Sequence, residues 1–142
     1  MGPLSILIVD DDRAWVKVLT RFLADPRHIV YSAGTCADGI DMAGRYRPDC
    51  ILLDYHLSDG SAVDVCSGLR ALRELHDTSV IILSSDPGAE MSAYGECRAD
   101  KFLIKGAPLA TILGAIESVC AAKVSRAKRA DGGTEPPGPP LR

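Results

Sequence analysis

The chain has 142 residues, of which 46% are hydrophobic and 25% are charged, and its net charge is −3. This length suits one domain whose core is large enough to fold without metals or disulfides. The five cysteines include no Cys-x-x-Cys pair, and no segment approaches the ~18 apolar residues of a membrane span. We therefore expect a cytoplasmic protein that makes no membrane contact.

The last 20 residues differ in charge from the rest of the chain. Residues 123–142 hold five basic and two acidic residues, which leaves residues 1–122 with a net charge of −6. An acidic domain repels the phosphate backbone of nucleic acid, so we do not expect it to bind nucleic acid. The last segment also contains Asp-Gly-Gly and Pro-Pro-Gly-Pro-Pro, which cannot build a core. We predict one folded domain over 1–122 and a basic, then Pro/Gly-rich, disordered tail or linker stub over 123–142.

Five short apolar runs, bounded by turn residues, indicate buried β-strands. They lie at 4–9, 28–33, 49–54, 80–83 and 101–104. A helical pattern of apolar residues follows each run. This strict alternation predicts an α/β fold, a doubly wound parallel sheet of five strands with five helices on its two sides.

The helical patterns also predict which side chains face the core. The first helix is expected to end at Asp25-Pro26, and Arg70 is expected on the solvated side of the third. The fourth helix, 89–97, is short and contains a glycine, so we expect it to be the least stable. The fifth pattern ends at Ala122. The inward stripe of the fourth helix is predicted to be Met91, Tyr94 and Cys97.

Polar groups follow four of the five predicted strands. Asp10 and Asp11 follow the first strand, Asp54 ends the third, Ser84 the fourth, and Lys105 follows the fifth. Because the carboxyl ends of parallel strands face one crevice, these groups should meet there. Crowded carboxylates favour a hard divalent cation such as Mg²⁺. A lysine and a hydroxyl beside them suit phosphoryl transfer, with Asp54 as the nucleophile that becomes an acyl phosphate.

Four sequence motifs surround these groups in order along the chain. They are Ile-Leu-Ile-Val-Asp-Asp-Asp at 6–12, Ile-Leu-Leu-Asp at 51–54, Val-Ile-Ile-Leu-Ser-Ser at 80–85 and Ala-Asp-Lys-Phe-Leu-Ile-Lys at 99–105. Together they resemble the receiver domain of two-component response regulators, and the similarity covers residues 4–121. The resemblance implies a flavodoxin-like sheet with the strand order 2-1-3-4-5.

The resemblance also implies a role for the acidic residues. Asp54 would accept a phosphoryl group from a histidine kinase or a phosphotransfer protein, in a reaction that the domain itself assists. Asp10 and Asp11 would hold Mg²⁺ together with Asp54 and the backbone carbonyl of His56. The side chains of His56 and Asp86 would border the phosphoryl group and tune the lifetime of the acyl phosphate.

A switch is implied as well. Ser84 and Lys105 would sense the phosphoryl oxygens, and Phe102 would be the aromatic residue whose rotamer follows Ser84. The fourth helix, the fifth strand and the last helix, residues 88–121, would form the surface that binds a downstream protein. A phosphorylation-dependent homodimer through the same residues is a further hypothesis.

The chain departs from the family pattern at several loop positions. Ser58 stands where a proline is usual, Ala62 where a glycine is usual, and Gly106 replaces the cis proline that normally follows the lysine. Arg98 replaces a frequent glycine, and the span before it is about one residue short. None of these changes removes a chemical group, so they bear on the switch geometry and on the partner.

Two other functions remain open at this point. A haloacid-dehalogenase-like phosphatase also begins with a strand and Asp-x-Asp, and there Asp10 and Asp12 would be the nucleophile and the acid/base; this leaves Asp54 unexplained. The second alternative is a receiver-like interaction module that is not phosphorylated, which the departures at Ser58 and Gly106 would suit.

Overall fold

The computed structural model describes residues 2–24, 28–75 and 77–133, with side chains as far as residue 125. Five parallel strands form one sheet in the order β2-β1-β3-β4-β5, which confirms the predicted topology. A small antiparallel hairpin follows β3, and its two strands, His56–Leu57 and Gly60–Ser61, have two residues each. The strands are β1 Ser5–Val9, β2 Ile29–Ala33, β3 Cys50–Asp54, β4 Ser79–Ser84 and β5 Lys101–Ile104.

Five α-helices connect and follow the strands, as predicted. The α2 helix begins after Thr35, whose hydroxyl accepts the N–H of Asp38 at 3.1 Å and caps the first turn. Short 3₁₀ turns lie at Arg73–Leu75 and Pro87–Ala89. The predicted end of α1 at Asp25-Pro26 lies outside the described residues. The helices are α1 Arg13–Ala24, α2 Cys36–Tyr46, α3 Ala62–Arg70, α4 Glu90–Gly95 and α5 Leu109–Gly133.

The sheet separates two layers of the core. Successive strand residues point to opposite faces, so Leu7 and Leu53 pack in the layer that α2, α3 and α4 cover. Ile8 and Leu52 pack in the other layer, beneath α1 and α5. Helices cover both faces of the sheet, so every residue in the centre of β1 and β3 is buried. This explains why the two strands are continuous apolar runs. None of the described helices is long and apolar enough to cross a membrane.

The inward face of α4 differs from the prediction. Met91 is 87% exposed and Tyr94 is 43% exposed, whereas Cys97 is fully buried as predicted. The helix begins only after the 3₁₀ turn at Pro87–Ala89, and the small side chain of Ala93 lies beneath it against the core. The predicted stripe was therefore wrong for Met91 and Tyr94, because the face of this short helix that carries Ala93 is turned toward the core.

Arg70 also differs in part from the prediction. Its side chain is half-buried instead of simply solvated, and its guanidinium donates to the carbonyls of Cys97 at 2.9 Å and Arg98 at 3.3 Å. These carbonyls follow the end of α4, where no further helical turn supplies N–H groups that donate to them, and Arg98 has a left-handed φ of 53°. Arg70 thus joins α3 to the segment that follows α4.

The last helix is longer than predicted. We expected the helical pattern to end at Ala122, but α5 continues to Gly133, so the residues from 123 to 133 are helical. Alanine, lysine and arginine predominate in this extension and are strong helix formers even without an apolar stripe. The Gly-Gly at its end is a typical helix stop. Residues 134–142 lie outside the described part of the chain.

Lys123 should stabilise the fold although it lies beyond the predicted domain end. Its ammonium donates to the carbonyls of Asp77 at 2.8 Å and Thr78 at 3.2 Å and lies 3.5 Å from the carboxylate of Asp100. We expect Lys123→Met to lower the free energy of unfolding by about 1–3 kcal/mol, because these acceptors lose a charged donor. Urea denaturation measures this, and Lys101→Met, at an exposed lysine, is the matched control. Equal midpoints for the two variants would contradict the prediction.

Candidate functional site

The register of the strands brings the predicted polar residues to one edge of the sheet. Val9 pairs with Leu53, and Ser84 pairs with Ile104, so the carboxyl ends of β1, β3, β4 and β5 are level. Each strand then contributes one or two polar side chains at this edge. They are Asp10 and Asp11 after β1, Asp54 in β3, Ser84 in β4 and Lys105 after β5.

Three carboxylates form the centre of the site. Carboxylate oxygens of Asp10, Asp11 and Asp54 lie within 4.8 Å of one another. Asp10 and Asp54 are buried and Asp11 is exposed, so the cluster opens to solvent on one side. Oxygens that share one Mg²⁺ ion lie about 3–4 Å apart, given a metal–oxygen distance of ~2.1 Å. The donor set therefore fits a hard divalent ion after a small adjustment of side chains.

The ammonium of Lys105 lies among these carboxylates. Its Nζ is 2.8 Å from Oδ2 of Asp10 and 3.3 Å from Oδ2 of Asp54. Its backbone N–H donates to the carbonyl of Ser84 at 3.0 Å, which holds the lysine loop against β4. Burial alone would lower the pKa of Lys105, but the hydrogen bond and charge of Asp10, with those of Asp54, raise it. The lysine thus supplies the positive charge that the carboxylates require.

The pKa of Asp54 is raised from its usual value. Burial is the main cause, and the neighbouring charge of Asp10 adds to it, while Lys105 and the backbone N–H of His56 act in the opposite direction. Ionised Asp54 is therefore a poorly solvated carboxylate that a further cation would stabilise. Such a carboxylate is suited to binding a metal and to attacking an electrophilic phosphorus.

The sequence model of the family described as "Response regulator receiver domain" matches residues 6–117. The chain belongs to this family. Receiver domains of response regulators bind Mg²⁺ in general and interact with kinases and downstream effectors, and they are signalling domains rather than conventional enzymes. The alternative functions named above find no better support in the comparisons.

Individual relatives of this receiver domain are response regulators. MprA of Mycobacterium sp. (strain KMS) is 30% identical over 118 residues, which cover 82% of this chain and 50% of the relative. NarP of Escherichia coli (strain K12), a nitrate/nitrite response regulator, is 33% identical over 119 residues, covering 82% and 54%. The chain thus spans about half the length of the curated relatives it matches.

The fold is likewise that of solved receiver structures. A CheY-like response regulator receiver domain protein from Methanospirillum hungatei JF-1 superimposes with a TM-score of 0.78 at 22% sequence identity. The match covers 86% of this chain and 97% of the other. This likeness confirms the predicted flavodoxin-like strand order.

The remaining predicted site residues lie around the receiver's carboxylates. Ser84 is buried, and its hydroxyl oxygen accepts the N–H of Asp86 at 3.0 Å, which leaves its own proton free to donate. Phe102 is buried in the core layer of α3 and α4. Nε2 of His56 lies 3.4 Å from Oδ2 of Asp86, and both side chains are exposed. Their roles in metal binding, switching and phosphate lifetime stay predictions.

The structure adds one polar network that sequence reasoning missed. The hydroxyl of Tyr55, next to Asp54, donates to Oγ of Ser92 at 2.7 Å, and Ser92 donates to Oε1 of Glu96 at 2.6 Å. This chain of hydrogen bonds connects the end of β3 with α4. Its members are far apart in sequence, and only the i, i+4 spacing of Ser92 and Glu96 gave any signal.

Asp59 is a second residue that the sequence analysis missed. It lies in the turn of the small hairpin, and its carboxylate accepts the N–H groups of Cys36 at 2.8 Å and Ala37 at 3.2 Å. These are free donors at the start of α2, so Asp59 caps that helix from another part of the chain. The hydrogen bond from the backbone of Cys36 is the main cause of a lowered pKa for Asp59.

We expect Asp59→Asn to lower the melting temperature near neutral pH but not in acid. A carboxyl whose folded pKa is lowered stabilises the fold above its unfolded pKa, which is about 3.9, and this stability is lost as pH falls through the folded value. Thermal unfolding of both proteins from about pH 7 down to about pH 2.5 measures the difference. Asp64→Asn is the comparison, because Asp64 belongs to a cap that residues at the start of α3 itself form, and not to a cap supplied by a distant segment. If the melting temperature of Asp59→Asn stays equally far below that of the wild type in acid, the charge of Asp59 is not the cause.

Proposed function

We propose that the domain accepts a phosphoryl group on Asp54 from a histidine kinase or a phosphotransfer protein in a Mg²⁺-dependent reaction. The observation that carries this proposal is the convergence of Asp54 with Asp10, Asp11 and Lys105 at the carboxyl edge of the sheet. The buried, partly neutralised carboxylate of Asp54 is the nucleophile in this arrangement. We also propose that residues 1–122 form the predicted domain, with α5 continuing beyond it to Gly133, and that this domain acts in the cytoplasm.

The residues of the site would divide the reaction among them. An oxygen of Asp54 attacks the phosphorus of the donor, and the bond from phosphorus to the donor's leaving atom breaks with its electron pair on that atom. Asp10 and Asp11, with Asp54 and the carbonyl of His56, would hold Mg²⁺, which neutralises phosphoryl oxygens when it is bound. Lys105 would turn from the carboxylates to a phosphoryl oxygen, and the hydroxyl of Ser84 would donate to another.

The acyl phosphate would then be hydrolysed by water in the same site. The exposed pair of His56 and Asp86 borders the crevice, so its charge and bulk would affect the approach of water. This self-catalysed dephosphorylation would end the signal.

The phosphorylated domain would act through residues 88–121, which we call the output surface. Met91, Tyr94 and Ile104 are large apolar side chains that are exposed there. Exposed apolar groups on one face favour binding of another protein. Our proposal is a downstream protein, with Ser84 and Phe102 relaying the phosphorylated state. The homodimer hypothesis is tested by light scattering with and without beryllofluoride, and a monomer in both samples rejects it.

Intact-mass spectrometry tests the proposed phosphorylation. The full chain is incubated with acetyl phosphate and Mg²⁺, and a parallel sample contains a chelator in excess over the metal. We expect the mass of one phosphoryl group to be added only where Mg²⁺ is free, and we expect alkaline hydroxylamine to remove it. An unchanged mass at high donor and metal concentration would favour the interaction module that is not phosphorylated.

A further inference from the structure

The outer edge of β2 has free backbone groups. The order of strands places β2 at one end of the sheet, and no strand of the described residues pairs with its outer side. The N–H of Ile29 donates toward β1 at 2.9 Å, and the carbonyl of Ala33 accepts from that side at 3.0 Å. Successive residues of a strand turn their backbone groups to alternate sides. The N–H and carbonyl groups of Val30 and Ser32 therefore point outward.

This edge lacks the features that usually prevent an edge strand from pairing. Its sequence, Ile-Val-Tyr-Ser-Ala, contains no charged residue and no proline. Proteins commonly protect an exposed edge with such residues, because its backbone groups otherwise pair with another chain. The side chain of Ile29, at the start of the strand, is 56% exposed. The edge is therefore suited to pairing with an extended strand of another chain.

An apolar and aromatic surface lies beside the free edge, on the face of the sheet that α2 covers. Tyr31 points to this face and stacks on Tyr46 at the end of α2, with ring centroids 4.2 Å apart. Tyr46 is 41% exposed. On the other side of α2, Ile40 contacts Gly68 of α3. Because a helix has 3.6 residues per turn, Met42 and Tyr46 lie on the side of α2 away from α3, which is the side toward the free edge.

The charges of α2 match those of a second, antiparallel copy of the same helix. Asp38 lies in its first turn and Arg45 in its last turn, and both are exposed. They are two helical turns apart, so they share one side of the helix, and Met42 lies between them. In two antiparallel copies, Asp38 of each helix faces Arg45 of the other. Arg45 also pairs with Asp41 at 3.1 Å, but that contact is exposed and weak.

We propose that two copies of the domain form a dimer in which their β2 strands pair antiparallel around a two-fold axis beside Tyr31. In this register the N–H and carbonyl of Val30 bond to the carbonyl and N–H of Ser32 in the second copy, and symmetry repeats the pair. Tyr31 lies opposite its own counterpart, where a cross-strand aromatic pair stabilises a sheet. The same axis sets the two α2 helices antiparallel on one face, which brings Asp38 to Arg45 of the second copy.

This dimer leaves the output surface free. The strands β2 and β5 are the opposite ends of the sheet, and the output surface includes β5. The pairing involves no phosphoryl group, so it differs from the hypothesis of a phosphorylation-dependent homodimer through the output surface. Its tests need no phosphoryl donor. Their failure would leave the proposed function untouched, and a failure of phosphorylation would leave these tests valid.

Sedimentation velocity and hydrogen exchange of the full wild-type chain test the proposal. We expect a concentration-dependent equilibrium of monomer and dimer without any phosphoryl donor. The amides of Val30 and Ser32, followed by NMR, should exchange at least about fivefold more slowly where the dimer predominates than where the monomer does. The amide of Ile29, which already donates toward β1, should change less. A monomer at every soluble concentration, or a dimer whose Val30 and Ser32 amides gain no protection, would overturn the proposal.

Charge exchange on α2 tests the symmetry of the pairing. Asp38→Arg and Arg45→Asp each bring like charges together across the two-fold axis, so the dissociation constant of each variant alone should rise at least about tenfold. An equimolar mixture of the two should dimerise like the wild type, because each new charge then faces its opposite. Glu90→Lys, at an exposed acid of the output surface, is the matched control and should leave the dimer unchanged.

Two results of the charge exchange would contradict the pairing through β2. One is a mixture that associates as weakly as the single variants, and the other is a dimer that Glu90→Lys dissociates. Circular dichroism shows whether each variant is folded. Hydrogen exchange of the wild type decides the proposal even if a variant fails to fold.

Discussion

Phosphoryl uptake is expected to disappear in the Asp54→Asn variant, with at least about a thousandfold loss of rate. The amide keeps the size of the side chain but has no oxygen nucleophile that could form an acyl phosphate. The loss should not come from unfolding: burial and Asp10 raise the pKa of Asp54, so its charge is unfavourable in the metal-free fold. The melting temperature of the metal-free variant should therefore equal or exceed that of the wild type. Mass spectrometry with acetyl phosphate and Mg²⁺, beside a thermal unfolding curve, measures both.

Two further variants make this result specific. Asp41→Asn changes an exposed acid on α2 that pairs with Arg45 at 3.1 Å, and it should leave uptake unchanged. Asp10→Asn should weaken Mg²⁺ binding, because the site loses one carboxylate, so that uptake requires a higher metal concentration. Phosphate that remained on Asp54→Asn, and mapped to Asp10, would contradict the proposal. It would favour the haloacid-dehalogenase-like phosphatase, in which Asp10 is the nucleophile.

The site could be predicted because each of its residues follows an apolar strand. Strand-forming runs are local signals, and the parallel sheet turns their ends into neighbours without any further information. Asp54 and Lys105 are 51 positions apart in sequence, yet the order of strands brings their side chains within 3.3 Å. The approach of Lys105 to Asp10 at 2.8 Å follows from the same register.

The contacts between helices could not be predicted in this way. Arg70 was predicted on the solvated side of α3, because helical periodicity does not show that another segment places the carbonyl of Cys97 next to that side. The cap that Asp59 gives to α2 and the bond from Tyr55 to Ser92 also join distant segments. The length of α5 was missed for another reason: its extension has helix propensity but no apolar stripe. The periodicity of apolar residues therefore identifies the helices and strands that pack against a core. It does not reveal hydrogen bonds between distant segments or a helix extension that depends on helix propensity alone.

Replacement of Lys105 by methionine is expected to destabilise the metal-free protein and to make Mg²⁺ more stabilising. The ammonium lies 2.8 Å from Asp10 and 3.3 Å from Asp54, so its removal leaves two facing carboxylates without a partner. We expect the free energy of unfolding near pH 7 to fall by about 1–3 kcal/mol. Saturating Mg²⁺ should recover most of this loss, because the metal no longer competes with an ammonium for the carboxylates. Phosphoryl uptake should slow about 100-fold, since one charged donor to the transition state is lost.

The pH dependence of the Lys105→Met deficit separates charge from packing. Lys105 opposes the burial and the Asp10 charge that raise the pKa of Asp54, so the pKa of Asp54 should rise further in the variant. A raised carboxyl pKa gives stability that is present below the unfolded value, about 3.9, and is lost as pH rises through the folded value. The free energy of unfolding of Lys105→Met should therefore be only slightly below that of the wild type near pH 4, and this difference should grow toward pH 7. Urea denaturation of both proteins without metal measures it, with Lys17→Met on the exposed face of α1 as control. A deficit that is constant over this range would mean that the methylene chain of Lys105 matters and its charge does not.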